Sequence, residues 1–441
     1  MIYITAMEQT QFNQGLLQFL KDSPTPFHAT KQISNRLREQ GFRQLKEEDN
    51  WHLEPGGYFV TRNQSSIIGF SIGEQAPDQT GLRMIGAHTD SPCLKVKPTP
   101  DISDHSYHQI GVEVYGGALL NPWFDRDLSV AGRVTIENKA GAIINCLIDF
   151  ERPIATIPSL AIHLDREANN KRKVNAQTDI PPIINQSDGQ FSSLLEAQIR
   201  CQYPSVELLH ILSWDLSLYD TQAPAIVGHD QDFIASARLD NLLSCYSACE
   251  ALQQADSSIT SLIVCNDHEE VGSASAAGAE GSFLKDILQR IMPNAEKRLR
   301  ALAKSMLIST DNAHGIHPNF SEKHDNQHGP ILNRGPVIKI NANQRYATSS
   351  ETMAYFLNLC RKSDIPSQKF VTRTDLACGS TIGPITAKTI GIKTIDLGVP
   401  TFAMHSIREL AGVRDAYLLQ QALNAFTRDL KPISISSISE P

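Results

Sequence analysis

The chain has 441 residues, with 40 Lys and Arg against 48 Asp and Glu, so its formal net charge is -8. This length predicts two domains, or one large domain with an insert. The hydrophobic share of 41% allows a sizeable buried core, which excludes wholesale disorder, and the acidic balance provides no positive field for a nucleic-acid partner.

The sequence also predicts a cytoplasmic protein with no membrane partner. No apolar stretch approaches the roughly 18 residues of a membrane span. Residues Met1–Thr10 lack the basic region, apolar core and cleavage site of a signal peptide; whether Met1 or Met7 is the true start stays open. The eight Cys are scattered without a CxxC pair, which indicates small buried residues in a reducing compartment.

The N-terminal segment has helical and then strand-like patterns. Thr10–Gln40 has a helical apolar stripe that is interrupted at Ser23–Pro26. Short strands are predicted at Tyr58–Thr61 and Ser66–Ile72, and the apolar run Leu82–Ala87 ends at His88-Thr-Asp90.

From about residue 100 the pattern changes to β-like runs with few helix signals. Four strands and one helix are predicted, at Ile110–Tyr115, Gly132–Ile136, Ala142–Phe150, Leu208–Asp215 and, for the helix, Ser192–Arg200. The polar stretch Asp165–Gly189 is predicted to be a solvated surface loop.

Helices and strands alternate again after about residue 235. Helices are predicted at Leu239–Gln254, Ala279–Lys304 and Ala411–Leu430, and strands at Ser261–Cys265, Met306–Ser309, Pro336–Ile340, Lys369–Thr372 and Lys393–Leu397. We therefore predict a discontinuous α/β domain at residues 1–95 and 236–441, interrupted by a β-rich inserted domain at residues 96–235.

Several of the apolar runs end in acidic or histidine clusters: His88-x-Asp90, Asp267-His-Glu269-Glu270, Asp311 and, further along, His405. Because ligands bind outside the carboxyl ends of parallel strands, we expect these four ends at one rim of the sheet. Asp240, at the start of a predicted helix, would reach the same rim. A set of His and carboxylate ligands without Cys suits Zn, Mn or Co.

Each cluster also has an ordinary structural interpretation. A lone His at a strand end is usually a hydrogen-bonded loop residue, and Asp311 alone would be a turn residue or a helix cap. Glu269-Glu270 would usually be a solvated pair, but it follows an apolar strand, and adjacent carboxylates there suit one metal ligand and one proton carrier. The joint occurrence favours a metal site. HExxH, GxSxG, GxxxxGK and GxGxxG motifs are absent from the sequence.

These motifs resemble the aspartyl aminopeptidase family of dinuclear zinc peptidases. The resemblance rests on Gly86-Ala-His-Thr-Asp-Ser-Pro-Cys-Leu-Lys-Val-Lys-Pro98, Ser236-Ala-Arg-Leu-Asp-Asn241, Asp267-His-Glu-Glu-Val-Gly-Ser273, Asp311-Asn-Ala-His-Gly-Ile-His-Pro-Asn319 and Met404-His-Ser-Ile-Arg-Glu409. It runs from about Phe12 to about Leu430. It implies a three-layer, phosphorylase/hydrolase-like metallopeptidase domain with a mixed central sheet, and a large homo-oligomer, typically a dodecamer, assembled through the insert.

The resemblance also implies a role for each site residue. Asp240 corresponds to the carboxylate that bridges two zinc ions; Mn²⁺ or Co²⁺ in one of the sites stays open. His88 and Asp311 correspond to ligands of one ion, and Glu270 and His405 to ligands of the other. Glu269 corresponds to the general base and Asp90 to the residue that orients His88. The substrate-contacting positions fall on His314, Lys339 and Tyr346.

Two residues carry open alternatives. His163 alternates with Ile162 and Leu164, which by itself predicts an exposed strand histidine; the resemblance implies that it contacts substrate in a neighbouring subunit, or else binds metal. Lys339 by itself would be a water-facing lysine on an edge strand; the resemblance implies a pocket for an acidic side chain.

The function that the resemblance implies is that of a metalloaminopeptidase, which removes N-terminal residues, Asp or Glu by preference, from peptides with a free amino group. Two zinc ions would activate the attacking water, and Glu269 would be the general base. The alternatives are a preference for neutral residues, a related dinuclear zinc amidohydrolase such as a carboxypeptidase or deacylase, and a non-catalytic assembly protein. All five predicted ligands and Glu269 are present, which argues against the last alternative.

Overall fold

The computed structural model describes residues 2–187, 189–431 and 433, and for residues 2–6 it describes the backbone alone. Residues 1 and 441, the predicted beginning and end of the α/β domain, lie outside the described residues. Within the described part, no helix has both the length and the apolar character needed to cross a bilayer.

The strands are numbered along the chain. They are β1 (Arg43–Gln44), β2 (Gly56–Arg62), β3 (Ser66–Ile72), β4 (Arg83–His88), β5 (Cys93–Asp104), β6 (Tyr107–Tyr115), β7 (Leu128–Asn138), β8 (Ile143–Asp149), β9 (Ile183–Asn185), β10 (Leu208–Asp220), β11 (Ala225–Val227), β12 (Phe233–Ser236), β13 (Ser261–Asn266), β14 (Met306–Thr310), β15 (Ala313–His314), β16 (Val337–Ile340), β17 (Gln368–Val371), β18 (Lys393–Gly398), β19 (Pro400–Phe402) and β20 (Glu409–Gly412).

The helices are numbered in the same way. They are α1 (Ile2–Lys21), α2 (Pro26–Glu39), α3 (Pro77–Thr80), α4 (Ala168–Lys171), α5 (Phe191–Gln202), α6 (Leu239–Gln253), α7 (Phe283–Ile291), α8 (Ala295–Ala303), α9 (Ser350–Lys362), α10 (Ile382–Ile390) and α11 (Asp415–Thr427).

The largest sheet is mixed, with the order β1-β2-β3-β13-β4-β14-β18-β16-β17. Its central strands β13, β4, β14 and β18 are mutually parallel, whereas β3 and β16 run antiparallel to their central neighbours. The parallel strands are buried on both faces, which explains why they appear in the sequence as continuous apolar runs.

Helices cover both faces of this sheet. Successive strand residues point to opposite sides, so neighbouring residues of one strand face different helix layers. In β4, Ile85 belongs to the hydrophobic core that includes residues of α1, α2, α6, α9 and α11, whereas Met84 belongs to the core on the other face, with residues of α7 and α8. A side chain at Gly86 would meet Ile382 of α10 on that second face. The three-layer α/β architecture predicted from the sequence is confirmed.

A second sheet has the order β8-β7-β10-β5-β6-β9 and its own hydrophobic core. Its neighbouring strands pair in an antiparallel manner, and α5 packs on it through Phe191, Leu195 and Ile199. We propose that this sheet and α5 are the inserted domain predicted for residues 96–235. Strand β11, inside that range, instead pairs with β12 in a third sheet of order β11-β12-β20-β19-β15.

Two predicted helices are wrong in extent. The long helix expected at Ala279–Lys304 is divided into α7 and α8 because Pro293 cannot continue a helix, and the side chain of Asn294 then caps α8 by accepting a 2.9 Å hydrogen bond from Lys297 N. The helix expected from Ala411 begins only at Asp415, because Ala411 and Gly412 belong to β20.

Candidate metal centre

Three of the predicted acidic and histidine clusters meet at the carboxyl edge of the large sheet. His88 is the last residue of β4 and pairs in parallel register with Asn266 at the end of β13. Glu269 and Glu270 follow β13, and Asp311 follows β14, which is parallel to β4. The parallel register therefore places His88, both glutamates and Asp311 at one rim.

The expectation that His405 also follows a parallel strand is wrong. His405 lies in the turn between β19 and β20, two antiparallel strands of the third sheet. Asp240 lies in the first turn of α6, directly after β12, which pairs with β20. The third sheet thus carries Asp240 and His405 to the rim that the large sheet forms.

Five side chains, three carboxylates and two imidazoles, converge into two groups that share Asp240. In the first group, His88 Nε2 lies 3.4 Å from Asp240 Oδ1 and 3.7 Å from Asp311 Oδ1. In the second, His405 Nε2 lies 3.6 Å from Asp240 Oδ2 and 3.3 Å from Glu270 Oε2. Each group brings one atom from each of three residues within 4.8 Å of one another, and each oxygen of Asp240 faces a different group.

Glu269 borders the same cluster. One of its carboxylate oxygens lies within 4.8 Å of atoms of both His88 and Glu270. The geometry therefore allows Glu269 to contact a bound cation or to remain beside it.

The donor set fits a divalent cation of the zinc type. Asp240 Oδ1 and Glu270 Oε1 are buried, and among the described residues neither accepts a hydrogen bond. Buried carboxylate oxygens normally have partners, because leaving them unsatisfied costs about 1–3 kcal/mol or more. Cations between these oxygens and the two imidazole Nε2 atoms would satisfy them with the nitrogen and oxygen ligands that zinc accepts.

Backbone carbonyls orient both imidazoles. His88 Nδ1 is 3.0 Å from the carbonyl oxygen of Asp90, and His405 Nδ1 is 3.2 Å from that of Gly117. A carbonyl can only accept, so each Nδ1 carries the proton of this bond, which leaves each Nε2 as the ring nitrogen that could bind a cation. This is the arrangement that metal-binding histidines adopt.

The carboxylate of Asp90, predicted to orient His88, also accepts hydrogen bonds from the backbone that carries Glu269 and Glu270. It lies 3.5 Å from His88 Nδ1, farther than the 3.0 Å to its own backbone carbonyl. Its Oδ1 accepts from Glu269 N at 3.1 Å, and its Oδ2 accepts from Glu270 N at 3.1 Å and from Tyr115 Oη at 2.7 Å. Asp90 thus fixes the backbone that carries both glutamates.

The buried charges influence one another strongly. Burial raises the pKa of Glu269 to about 7, and the nearby Asp311 and Asp90 act in the same direction, against His88. Burial also raises the pKa of Glu270, reinforced by Asp240. Burial disfavours ionisation of Asp240 too, but its contacts with His405 and His88 more than offset this and keep its pKa below the usual range.

Three residues at or near site positions have left-handed backbone conformations. Arg238, His268 and His405 have φ of 59°, 66° and 66°, a conformation that costs non-glycine residues of order 1–3 kcal/mol and clusters at functional sites. Each lies at, or within two residues of, Asp240, Glu269 or His405, which indicates that the chain is shaped here for side-chain placement.

Lys339, Tyr346 and His314 lie beside Asp311. Lys339 is 2% exposed on β16, between β18 and β17, so the alternative of a water-facing edge lysine is wrong. Its Nζ lies 3.2 Å from Asp311 Oδ2, 2.9 Å from Asn312 O and 5.1 Å from the ring centroid of Tyr346. The rings of Tyr346 and His314 lie 6.5 and 5.9 Å from that of Phe370.

His163 is not part of the cluster. It lies in an exposed turn that is closed by a 2.8 Å hydrogen bond from Leu164 N to Ala161 O. The interpretation as a strand histidine is wrong, because Ile162 and Leu164 are exposed as well and form no buried face.

Sequence reasoning did not identify three residues that contact the site: Tyr115, Gly117 and Glu409. Tyr115 is the last residue of β6 in the second sheet, and Gly117 lies two residues beyond it. No local sequence pattern marks either residue. Glu409 belongs to the Met404–Glu409 motif, and its position four residues after His405 is the one sequence signal that points to it.

Comparisons with known proteins agree on one family. Residues 19–427 match the aminopeptidase I zinc metalloprotease family (M18). A protein of Pseudomonas savastanoi pv. phaseolicola described as "Probable M18 family aminopeptidase 2" is 56% identical over 423 residues, which are 95% of this chain and 98% of the relative.

Solved structures share the fold. The chain in a cryo-EM structure of an Ape4 and Nbr1 complex matches with a TM-score of 0.91 and 38% identity, covering 95% of this chain and 86% of that one. The S. cerevisiae mApe1 dodecamer matches with a TM-score of 0.80 and 27% identity, covering 94% and 95% of the two chains.

Proposed function

Because this chain belongs to the M18 family of zinc metalloproteases and is a metallo-aminopeptidase, we propose that it removes acidic residues, Asp or Glu, from the N-termini of peptides with the help of two zinc ions. The observation that carries the proposal is the pair of ligand groups that share Asp240, each with one imidazole Nε2 and buried carboxylate oxygens.

The proposed ligands divide between two ions. Asp240 would be a ligand of both ions; His88 and Asp311 would complete one site, and Glu270 and His405 the other. Zinc bound there would supply Lewis-acid chemistry, which polarises the substrate carbonyl and activates water; Mn²⁺ or Co²⁺ in one site is the alternative.

We assign the proton transfers to Glu269. Its carboxylate lies beside both ligand groups, and Asp90 holds its backbone at 3.1 Å. In this role a carboxylate oxygen of Glu269 accepts a proton from the attacking water and then donates it to the leaving amine. The geometry also permits Glu269 as a ligand of one ion, so metal content must be measured together with turnover.

The acidic preference is proposed from Lys339. Its ammonium is a buried cation next to Asp311, and an ammonium has three N–H donors, of which Asp311 and Asn312 O occupy two. A carboxylate side chain on the first residue of the substrate would satisfy the remaining donor. The competing function of Lys339 is to neutralise Asp311 alone, and the preference would then be for neutral residues.

We further propose assembly into a homo-oligomer, a dodecamer by analogy with the mApe1 dodecamer. Leu160, Ile162 and Leu164 are 60%, 49% and 74% exposed around His163, which suits a turn that contacts another copy of the chain. His163 of a neighbouring copy would then donate to the carbonyl oxygen as it becomes negatively charged. A cytoplasmic location is proposed from the eight free cysteines, five of them buried.

A panel of chromogenic substrates tests the proposal. Asp-, Glu-, Leu- and Lys-capped substrates are compared, each with a free and with a blocked amino group, before and after chelation. Hydrolysis of free Asp and Glu substrates above the others is expected. A preference for Leu contradicts the acidic pocket, and hydrolysis of blocked substrates indicates a different amidohydrolase.

A further inference from the structure

Glu409 joins the backbones of two proposed metal ligands. It is the first residue of β20, is 2% exposed, and pairs across the sheet with Ser236 of β12. Its Oε2 accepts a 2.9 Å hydrogen bond from Asp240 N, and its Oε1 accepts a 2.8 Å hydrogen bond from His405 N. One carboxylate thus holds one residue from each of two separate chain segments.

Neither of these N–H groups is placed by regular secondary structure. Asp240 has non-helical torsions, φ of -84° and ψ of 103°, inside the first turn of α6. His405 has φ of 66° in the turn before β20. A buried backbone N–H needs an acceptor, and Glu409 provides it for both residues at the positions where the chain departs from helix and strand.

The side chain of His405 depends on this backbone anchor. It is 30% exposed, whereas that of Asp240 is 4% exposed, so packing restricts the imidazole less. Its Nε2 lies 3.6 Å from Asp240 Oδ2, and this separation follows from where the two backbones are held. Residues that hold ligands in this way typically change metal affinity about 10- to 100-fold when they are removed.

We propose that Glu409 is a positioning residue that sets the spacing of Asp240 and His405 and thereby the zinc affinity of the site formed by Asp240, Glu270 and His405. The inference rests on the proposed function, since it requires those residues to bind metal. Glu409 touches neither substrate nor reacting atoms in this role.

The test measures zinc binding to metal-stripped protein by competition with a chromogenic chelator. Glu409→Gln keeps the shape of the side chain but replaces one acceptor oxygen with an NH2 group that faces an N–H. The expected result is two binding events in the wild type and, in the variant, one event weakened about 10- to 100-fold, with the other changed much less.

A second buried carboxylate serves as the matched control. Asp415 is 0% exposed and accepts backbone hydrogen bonds from Asn333 N at 2.5 Å and Gly335 N at 2.8 Å, neither of them a proposed ligand. Asp415→Asn is expected to lower the melting temperature without changing zinc affinity. If Glu409→Gln behaves in the same way as Asp415→Asn, the positioning role is wrong.

The outcomes separate the two proposals. A wild type that binds fewer than two zinc ions contradicts the proposed function itself. A wild type that binds two, together with unchanged affinities in Glu409→Gln, contradicts this inference alone. If Glu409→Gln does not fold, Glu409→Asp is measured in its place. The shorter side chain retains the charge but cannot reach both N–H groups. Wild-type zinc affinity in that variant likewise overturns the positioning role.

Discussion

Tyr115, at the end of β6 in the second sheet, donates a 2.7 Å hydrogen bond to Asp90 Oδ2, beyond the end of β4 in the large sheet. The same oxygen accepts from Glu270 N. The second sheet is therefore connected through one carboxylate to the backbone that carries Glu269 and Glu270, and Gly117, two residues further on, orients His405.

Replacing Tyr115 with Phe is expected to lower kcat by about tenfold while the protein stays folded. The loss of one hydrogen bond to a carboxylate corresponds to about 1.5–3 kcal/mol, and here it loosens the support of both glutamates. Steady-state kinetics on an Asp-capped substrate, with thermal melting, measure the two effects.

Tyr219→Phe is the control for this prediction. Tyr219 donates a 2.6 Å hydrogen bond to Asp149 Oδ1 within the second sheet, and this bond involves none of the proposed ligands or Glu269. It should lower stability by a similar amount and leave kcat unchanged. Equal kinetic effects in the two variants would show that Tyr115 acts only on the stability of the fold.

Glu269→Gln is expected to retain both zinc ions and to lose turnover by about 100- to 10,000-fold. The amide cannot accept the proton from water, yet the five proposed ligands are intact. Metal analysis and kcat are measured on the same preparation. Glu270→Gln is the comparison, and it should lose one zinc ion; the same loss in Glu269→Gln would make Glu269 a ligand instead.

Chelation is expected to abolish activity and lower the melting temperature, and added Zn²⁺ should restore both. Without cations, the carboxylates of Asp240, Glu270 and Asp311 converge, and one buried oxygen each of Asp240 and Glu270 has no hydrogen-bond partner among the described residues. Ions that bind only the folded state stabilise it by mass action. Full activity in protein shown by metal analysis to be free of ions would contradict the metal centre.

Lys339→Met is expected to reduce the ratio of kcat/KM for Asp- over Leu-capped substrates by at least tenfold, because the positive charge of the proposed pocket is lost while the length of the side chain is nearly retained. Lys393→Met is the control. Lys393 pairs at 3.1 Å with Glu351 near the surface, and its loss should leave the ratio unchanged. If Lys339→Met lowers both substrates equally, Lys339 serves only to neutralise Asp311.

Whether a helix or strand could be predicted from the sequence depended on its length and burial. The parallel strands β4, β13 and β14 were predicted because strands buried on both faces appear as apolar runs. Strands β15, β19 and β20 have two to four residues and show no period. Helices α9 and α10 were missed, although the capping box of Ser349 and Thr352 marks the start of α9.

The candidate site was predictable only in part, for a related reason. Residues at the ends of parallel strands share a rim by topology, so the approach of His88, Glu270 and Asp311 could be anticipated. His405 reaches that rim through pairing of β12 with β20, and Tyr115 through docking of the second sheet. Such contacts depend on how sheets pack against one another, which no periodicity along the chain encodes.

Mixing two inactive variants tests whether His163 acts in a neighbouring copy. His163→Ala and Glu269→Gln should each have low activity, and His163 lies in an exposed turn outside its own ligand groups. If the turn reaches another copy, a chain with Glu269 intact can receive His163 from the Glu269→Gln chain. Co-expressed or dissociated and reassembled mixtures should then regain a sizeable fraction of wild-type kcat.

The control is a mixture of Glu269→Gln with a double variant that carries both changes. No copy in that mixture retains Glu269, so its activity should remain that of Glu269→Gln alone. Absence of recovery in the first mixture, when mass measurement shows mixed oligomers, would mean that His163 acts within its own chain or not at all. Wild-type activity of His163→Ala by itself would remove it from the reaction.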